Sequence, residues 1–133
     1  MIVDTSVLIA ILKHEPEAEA FSEAIEAAKV VRISAASYLE THIVADGYKN
    51  PILKGRLEEI FENPGIVIEP VTLGQAKIAR QAYRDFGRGS GHPAGLNFGD
   101  CFSYALAKEK REPMLWKGDD FGHTDLRPAL LNR

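Results

Sequence analysis

Several acidic residues of this sequence lie beside apolar segments and not within the charged stretches of the chain. Asp4 follows the apolar residues MIV, Glu40 lies in SAASYLE, Asp100 lies in LNFGDC, and the pair Asp119 and Asp120 follows MLWKG. An ionised carboxylate left unpaired in an apolar interior is very costly. These acids therefore either fill local hydrogen-bonding roles or lie beside a cation.

Each acid has an ordinary structural alternative. Asp4 is a suitable helix N-cap, and Asp100 follows Asn97 at the spacing of a capping box. A glutamate within a helix, such as Glu40, is by default a residue of the solvated face. The acidic pair near the end of the chain is compatible with a turn.

A divalent cation gives the acids a common role. Carboxylates that lie close together repel one another, and a bound cation removes this conflict. Mg²⁺ prefers oxygen ligands, whereas zinc sites use His and Cys ligands. Cys101 is the only cysteine, and no two histidines have helical ligand spacing. An oxygen-only acidic centre favours phosphate chemistry, in which a cation neutralises a phosphodiester and activates water for attack.

The elements that must position these acids alternate between strands and helices. Strand composition marks residues 1–3, 30–33, 66–71 and 113–116. Helices are predicted over residues 7–13, 17–28, 52–61, 73–86 and 98–110, with a further helix opened by Ser34. Thr5 or Ser6 is the expected N-cap of the first helix, and residues 87–97 form a Gly-rich loop. The inward stripe predicted for the last helix contains Phe98, Cys101, Phe102, Ala105 and Leu106.

This alternation predicts an α/β fold with a parallel sheet covered by helices on both faces. Each acid falls at the carboxyl end of a strand or early in the helix that follows. Ligands of such sheets bind at the carboxyl ends of the strands. The acids of four separate segments are therefore expected to converge at one edge of the sheet.

Length and composition set further bounds. The chain has 133 residues, a net charge of −3 and 45% hydrophobic residues, so we expect one domain over residues 1–133. No apolar run approaches the roughly 20 residues of a membrane span. The first residues lack the features of a signal peptide, which favours a cytoplasmic protein. The acidic balance argues against a broad basic surface but leaves room for a local basic rim.

Four segments in chain order resemble one family. They are VDTSVLIAIL, SAASYLE, LNFGDCFSYALAK and LWKGDDFGHTDL. Together they resemble PIN domains and, more narrowly, the VapC toxin ribonucleases of bacterial type II toxin–antitoxin pairs. The resemblance implies a three-layer α/β/α domain and an endoribonuclease that depends on Mg²⁺, with Mn²⁺ as a substitute. It further implies single-stranded RNA as substrate (transfer, ribosomal or messenger RNA), a cognate VapB-type antitoxin and a homodimer.

The resemblance also assigns residues. Asp4, Glu40 and Asp100 match the first three acids of the family, and each is implied to be a catalytic, metal-holding residue. The acid directly before Phe is the fourth in relatives, which assigns Asp120 and leaves Asp119 as the fallback. Two hydroxyl side chains are implied to support the metal ligands, those of Thr5 and Ser6.

Basic residues near the acids are candidates for RNA contact. The positions proposed for a phosphate-contacting rim are Arg84, Arg88, His92 and Lys117. The alternative is a set of solvated charges. The helices at 17–28 and 52–61 have apolar stripes flanked by Glu, and a groove between them is suited to an antitoxin helix.

Other classes of Mg²⁺-binding α/β domain compete with this interpretation. A receiver-like phosphotransfer domain needs its acceptor Asp at a later strand than Asp4 provides. A phosphatase of the haloacid dehalogenase type needs a second Asp two residues after the first, where this chain has Ser6. A non-catalytic module of the same fold would have lost acids, whereas all four positions are acidic here.

Overall fold

The computed structural model of the chain describes residues 1–130, and its elements follow the predicted alternation. The strands are β1 (Ile2–Val3), β2 (Val31–Ser34), β3 (Ile66–Glu69) and β4 (Met114–Leu115). The helices are α1 (Thr5–Leu12), α2 (Ala18–Ala27), α3 (Ala35–Gly47), α4 (Pro51–Glu62), α5 (Leu73–Phe86) and α6 (Phe98–Lys110). A short 3-10 turn, Asp120–His123, follows β4.

The four strands form one parallel sheet in the order β3-β2-β1-β4. Ile2 pairs with Arg32 of β2 on one side and with Met114 of β4 on the other. Two helices separate each strand from the next along the chain. Because β1 lies in the middle, the residue that follows it is surrounded by the ends of neighbouring strands and by the helices that leave them.

Apolar side chains of the strands divide between two helical layers. Ile2 and Met114 pack in one core cluster with residues of α5 and α6. Val3, Val31 and Leu115 pack in another cluster with residues of α1 and α2. Adjacent strand residues point to opposite faces, so these clusters lie on the two sides of the sheet. The predicted three-layer α/β/α arrangement with a parallel sheet is confirmed.

The start of α1 differs from the prediction that Thr5 or Ser6 caps it. Asp4 is the N-cap, and its Oδ2 accepts a hydrogen bond of 3.0 Å from the backbone N–H of Ser6. The Thr5 hydroxyl donates instead to the carbonyl of Ser37, at 3.1 Å. A carboxylate is as good a cap as a hydroxyl, and it is the group that lies at the end of β1.

The last helix also corrects the sequence prediction. Cys101, Ala105 and Leu106 are buried as expected, but Phe98 is 77% exposed and Phe102 is half-buried. Phe98 is the first residue of α6, and its ring meets that of Phe102 edge-on at 4.9 Å. The spacing of Phe98 and Phe102 places both rings on one face of the helix. It does not show that the first turn of this face is exposed to solvent.

An ion-pair network links β2 to the last residue of β3 and to the segment that precedes β4. Arg32 donates to Glu112 and to Glu69, each at 2.8 Å. Burial of Glu112 raises its pKa, but hydrogen bonds from the N-terminal ammonium and from Arg32 outweigh this and hold the pKa below its ordinary value of 4.5. Glu112 is therefore a group whose folded state favours the ionised form.

We expect the ion pairs of Glu112 to make the stability of the fold depend on pH below neutrality. A depressed folded-state pKa contributes stability that is complete above 4.5, the ordinary value, and is lost as pH falls through the folded-state pKa. Glu112→Gln should therefore lower the melting temperature at neutral pH and lose less stability on acidification than the wild type. Thermal melting across the acid range measures this, and parallel pH profiles for the two proteins would contradict it.

No helix within residues 1–130 combines the length and the apolar composition required to cross a lipid bilayer.

Candidate active site

Asp4 is held at the end of the central strand by donors on both of its carboxylate oxygens. Its Oδ2 accepts from the Ser6 N–H at 3.0 Å, and its Oδ1 accepts from the Ser103 hydroxyl at 2.6 Å. The side chain is almost fully buried, with 4% of the residue exposed. Each oxygen of a carboxylate can accept a second bond, so Asp4 keeps acceptor capacity for another partner.

Glu40 reaches from α3 to the first turn of α6. A Cβ atom built on Gly99 would lie 3.0 Å from the Glu40 Cδ and 3.1 Å from its Oε1, and closer still to Oε2. The Glu40 carboxylate therefore lies against the bare backbone of the residue that precedes Asp100. The solvated-face alternative for Glu40 does not describe this half-buried position.

Asp100 lies in the first turn of α6 and is fixed there by a reciprocal capping box. Its backbone N–H donates to the Asn97 side chain at 2.8 Å, and its Oδ2 accepts from the Asn97 N–H at 3.0 Å. The structural alternative for Asp100 is thus present, and it does not exclude a second role. The cap uses one carboxylate oxygen and orients the other.

Electrostatic coupling shows which acids lie near Asp100. Burial raises the pKa of Asp100 to about 6, the backbone N–H of Asn97 opposes this rise, and the charges of Asp4, Asp120 and Glu40 add to it. Burial also raises the pKa of Glu40, the Thr5 hydroxyl lowers it, and the charge of Asp4 raises it again. The charges of acids from three other segments thus reach Asp100, and the charge of Asp4 also reaches Glu40.

The fourth acid is exposed at the start of the 3-10 turn. Asp120 contributes to the raised pKa of Asp100, whereas its neighbour Asp119 does not. The family resemblance implies a metal-dependent cleavage activity, and we predict that Asp120→Asn weakens it at least several-fold, whereas Asp119→Asn has little effect. Cleavage rates of the two variants at limiting metal concentration check this. A larger loss in the Asp119 variant would show that the fallback assignment is the right one.

A buried hydroxyl network lies behind the acids. Ser37 and Ser103 approach each other at 3.1 Å between α3 and α6. Thr41 donates to the carbonyl of Ser37 at 2.7 Å, and its hydroxyl lies 3.1 Å from that of Thr5. Thr5 is among the residues that the sequence predicts for the site, whereas Ser37, Thr41 and Ser103 are not. The available signal was spacing, because Ser37 precedes Glu40 by three residues and Ser103 follows Asp100 by three, which places each pair on one helix face.

Ser6 connects the first and last strands at the site. Its Oγ accepts from the backbone N–H of Lys117 at 3.0 Å, directly after β4. The Lys117 ammonium pairs with Glu15 and, at 3.4 Å, with Glu17. A phosphate contact by Lys117 would therefore have to exchange with these two carboxylates.

The other basic candidates lie around the Gly-rich loop. Arg84 and Arg88 are exposed. The His92 ring packs edge-on against Phe86 at 4.9 Å, and its Nδ1 accepts from the Ala94 N–H at 3.1 Å. The loop is closed by a bridge between Gly87 and Leu96. His92 is therefore held within the loop by these contacts. Among the four basic candidates for RNA contact, Arg84 and Arg88 are the exposed cations.

The donor set suits a hard, oxygen-preferring cation. Within residues 1–130, no three His, Cys, Asp or Glu side chains lie close enough together to form a direct ligand set. Mg²⁺ keeps several water ligands and commonly uses only one or two carboxylates directly, so loosely gathered acids are compatible with it. The carboxylates of Asp4 and Asp100 already accept hydrogen bonds, as the carboxylates of metal sites in proteins commonly do.

Comparison with known proteins identifies the family to which this fold and this arrangement of acids belong. The PIN domain family matches residues 1–126. A structure of VapC20 from Mycobacterium tuberculosis, described as a Sarcin-Ricin loop cleaving toxin, has the same fold with a TM-score of 0.71. It is 20% identical and covers 96% of this chain and 98% of its own. A toxin-antitoxin complex from Klebsiella pneumoniae has a TM-score of 0.68 at 19% identity, with 90% and 88% of the two chains covered.

Sequence relatives narrow the class. Ribonuclease VapC28 of Mycobacterium tuberculosis is 59% identical over 133 residues, which is the full length of both chains. Ribonuclease VapC42 of the same species is 47% identical over 129 residues, with 97% of this chain and 98% of the relative covered. The chain belongs to the VapC ribonucleases of the PIN domain family.

Proposed function

We propose that residues 1–133 act as a single PIN domain that cleaves single-stranded or loop RNA with Mg²⁺, as the toxin of a type II toxin–antitoxin pair. The observation that carries this proposal is the gathering of Asp4, Glu40, Asp100 and Asp120 from four segments around the end of the central strand. Membership of the VapC ribonucleases supports both the activity and the toxin role.

We assign a separate role to each of the residues of the site. Asp4 and Asp100 would hold the cation, directly or through water, and Glu40 and Asp120 would add negative charge around it. A bound Mg²⁺, or Mn²⁺ in its place, would supply charge neutralisation of the phosphodiester and activation of water at this site. The capping box keeps Asp100 in place while the hydrogen bonds from Ser6 and Ser103 orient Asp4.

RNA must approach this acidic centre through a positive rim. Arg84 and Arg88 are the exposed cations of the predicted set, and they lie at the end of α5 and the start of the loop that leads to Asp100. We propose that they contact phosphates, with His92 as a further loop contact and Lys117 available after exchange of its ion pairs. RNA and an antitoxin are both cytoplasmic, so we place the protein's action there.

The antitoxin is proposed to bind in a groove between helices. A cavity with a volume of about 390 Å³ lies among α1, α2 and α4, and its apolar lining includes Ile11, Ile25 and Ile60. Glu26, Arg56 and Glu59 stand at the same cavity. An amphipathic antitoxin helix has the apolar anchors and polar edges that such a groove accepts. The complex from Klebsiella pneumoniae has the same fold and supports an antitoxin partner.

A homodimer is the remaining part of the proposal. Leu39, Ile43 and Phe98 are large apolar side chains that stay exposed near Glu40 and Asp100. Burial of these side chains against a second copy would remove an unfavourable apolar surface from water. Light scattering of the purified chain measures the oligomeric state directly.

The activity is tested with purified protein on end-labelled single-stranded RNA. We expect cleavage with Mg²⁺, loss of cleavage with EDTA, and products that have a 5′-phosphate and a 3′-hydroxyl. Cleavage that persists in EDTA would contradict a metal-dependent mechanism. Hydrolysis of a simple phosphomonoester without cleavage of RNA would instead support the phosphatase or phosphotransfer alternative.

A further inference from the structure

The shortest hydrogen bond to Asp4 comes from Ser103, which is not among the residues that the sequence predicts for the site. The Ser103 hydroxyl donates to Asp4 Oδ1 at 2.6 Å, and Ser103 has no exposed surface. A hydroxyl that donates to an ionised carboxylate forms a short, charge-assisted bond, roughly twice as strong as a bond between neutral groups. Such a bond in a buried site restricts the rotation of the carboxylate.

The direction of this bond fixes the direction of the next one. A serine hydroxyl has one proton, and that of Ser103 is given to Asp4. In its 3.1 Å contact with Ser37, Ser103 must therefore accept, and Ser37 must donate. The result is a directed chain from Ser37 through Ser103 to Asp4, in which each bond polarises the next.

This chain of hydrogen bonds connects the segments that supply Asp4, Glu40 and Asp100. Ser37 lies on α3 three residues before Glu40, Ser103 lies on α6 three residues after Asp100, and Asp4 directly follows β1. Residues three apart in a helix share a face. The two serines thus connect the faces of α3 and α6 that present the other two acids, one layer below the site.

We propose that Ser103 is a positioning residue for metal binding and that Ser37 supports it. Together with the Ser6 N–H on Oδ2, the Ser103 hydroxyl fixes the plane of the Asp4 carboxylate before a cation arrives. Groups that orient metal ligands in this way commonly change metal affinity by about 10–100-fold when they are removed. The inference rests on the proposed function, since it assumes that Asp4 holds the cation.

The test measures Mn²⁺ binding without RNA, by the loss of the free Mn²⁺ electron paramagnetic resonance signal on titration. Ser103→Ala should weaken Mn²⁺ binding about tenfold or more. Ser37→Ala keeps the donor to Asp4 and should weaken binding less. It also provides a second reading if the Ser103 variant fails to fold.

Tyr104→Phe is the matched control. Tyr104 neighbours Ser103 on α6 and is buried, and its hydroxyl donates to Asp125 at the same length of 2.6 Å. Removal of this hydroxyl should lower the melting temperature and leave Mn²⁺ affinity unchanged, because Asp125 is not one of the four acids. A structural effect of lost buried hydroxyls would affect both variants alike.

The outcomes separate the inference from the function it rests on. Weaker binding in the Ser103 variant, an intermediate value for Ser37 and an unchanged value for Tyr104 support the proposal. Wild-type affinity in Ser103→Ala, or an equal loss in Tyr104→Phe, overturns it while Mn²⁺ binding by the wild type upholds the metal site. A wild-type protein that binds no Mn²⁺ overturns both.

Discussion

Asp4→Asn is expected to abolish Mg²⁺-dependent RNA cleavage while the protein remains folded. The change removes the charge of the acid at the end of the central strand, where both carboxylate oxygens already have donors. Loss of a group that only orients a metal ligand costs about 10–100-fold, so loss of the ligand charge itself should cost at least about 100-fold. The rate of cleavage of labelled single-stranded RNA at saturating Mg²⁺ measures the effect.

The fold should survive this change because Asn caps helices as well as Asp does. The Asn side-chain oxygen can accept from the Ser6 N–H, and its amide can donate to the Ser103 hydroxyl. Asp46→Asn is a suitable control, since Asp46 is an exposed acid of α3 and the same charge is removed. Circular dichroism and thermal melting verify folding of both variants. Cleavage by the Asp4 variant at the wild-type rate, with EDTA sensitivity, would refute the assignment.

Gly99→Ala is expected to reduce cleavage at least about tenfold without loss of stability. The added Cβ would meet the carboxylate of Glu40, the end of a flexible side chain, and not a rigid backbone. Glu40 can therefore move aside, and the protein keeps its fold. Alanine also favours a helix over glycine by up to about 1 kcal/mol. The group displaced is one of the four acids, so activity falls while the melting temperature does not.

Gly55→Ala provides the matched control within another helix. Nothing lies within 4 Å of a Cβ atom built on Gly55 in α4, and this alanine should raise the stability by roughly 0.5–1 kcal/mol. Its cleavage rate should equal that of the wild type. Full activity in the Gly99 variant would mean that the position of the Glu40 carboxylate does not matter to the reaction. A large fall in its melting temperature would mean that Glu40 cannot move as inferred.

The sequence predicts the convergence of the acids because their placement follows from topology. Asp4 comes directly after a strand, and Asp100 lies in the first turn of a helix that begins at the same edge of the parallel sheet. Family resemblance then distinguishes Glu40 from the other helical glutamates, which spacing alone does not do. The local alternatives for Asp4 and Asp100 are also present, since each is a helix cap and a site acid at once.

The support behind the acids was not predictable to the same degree. Ser37 and Ser103 are small polar residues of helix interiors, and single-chain periodicity does not show which of them meet between helices. Phe98 was assigned to the core from its spacing, but the first turn of α6 presents it to solvent. The ion pairs of Lys117 involve acids distant in sequence, which a charge pattern along the chain does not identify.

The most direct test of the proposed metal site is a crystal structure of the protein with Mn²⁺, with anomalous scattering measured at the manganese edge. We predict an anomalous peak beside the carboxylates of Asp4 and Asp100, facing Glu40 and Asp120. A Mn²⁺ peak elsewhere on the molecule with none at these residues, in a crystal where Asp4 and Asp100 point into different surroundings, would contradict it.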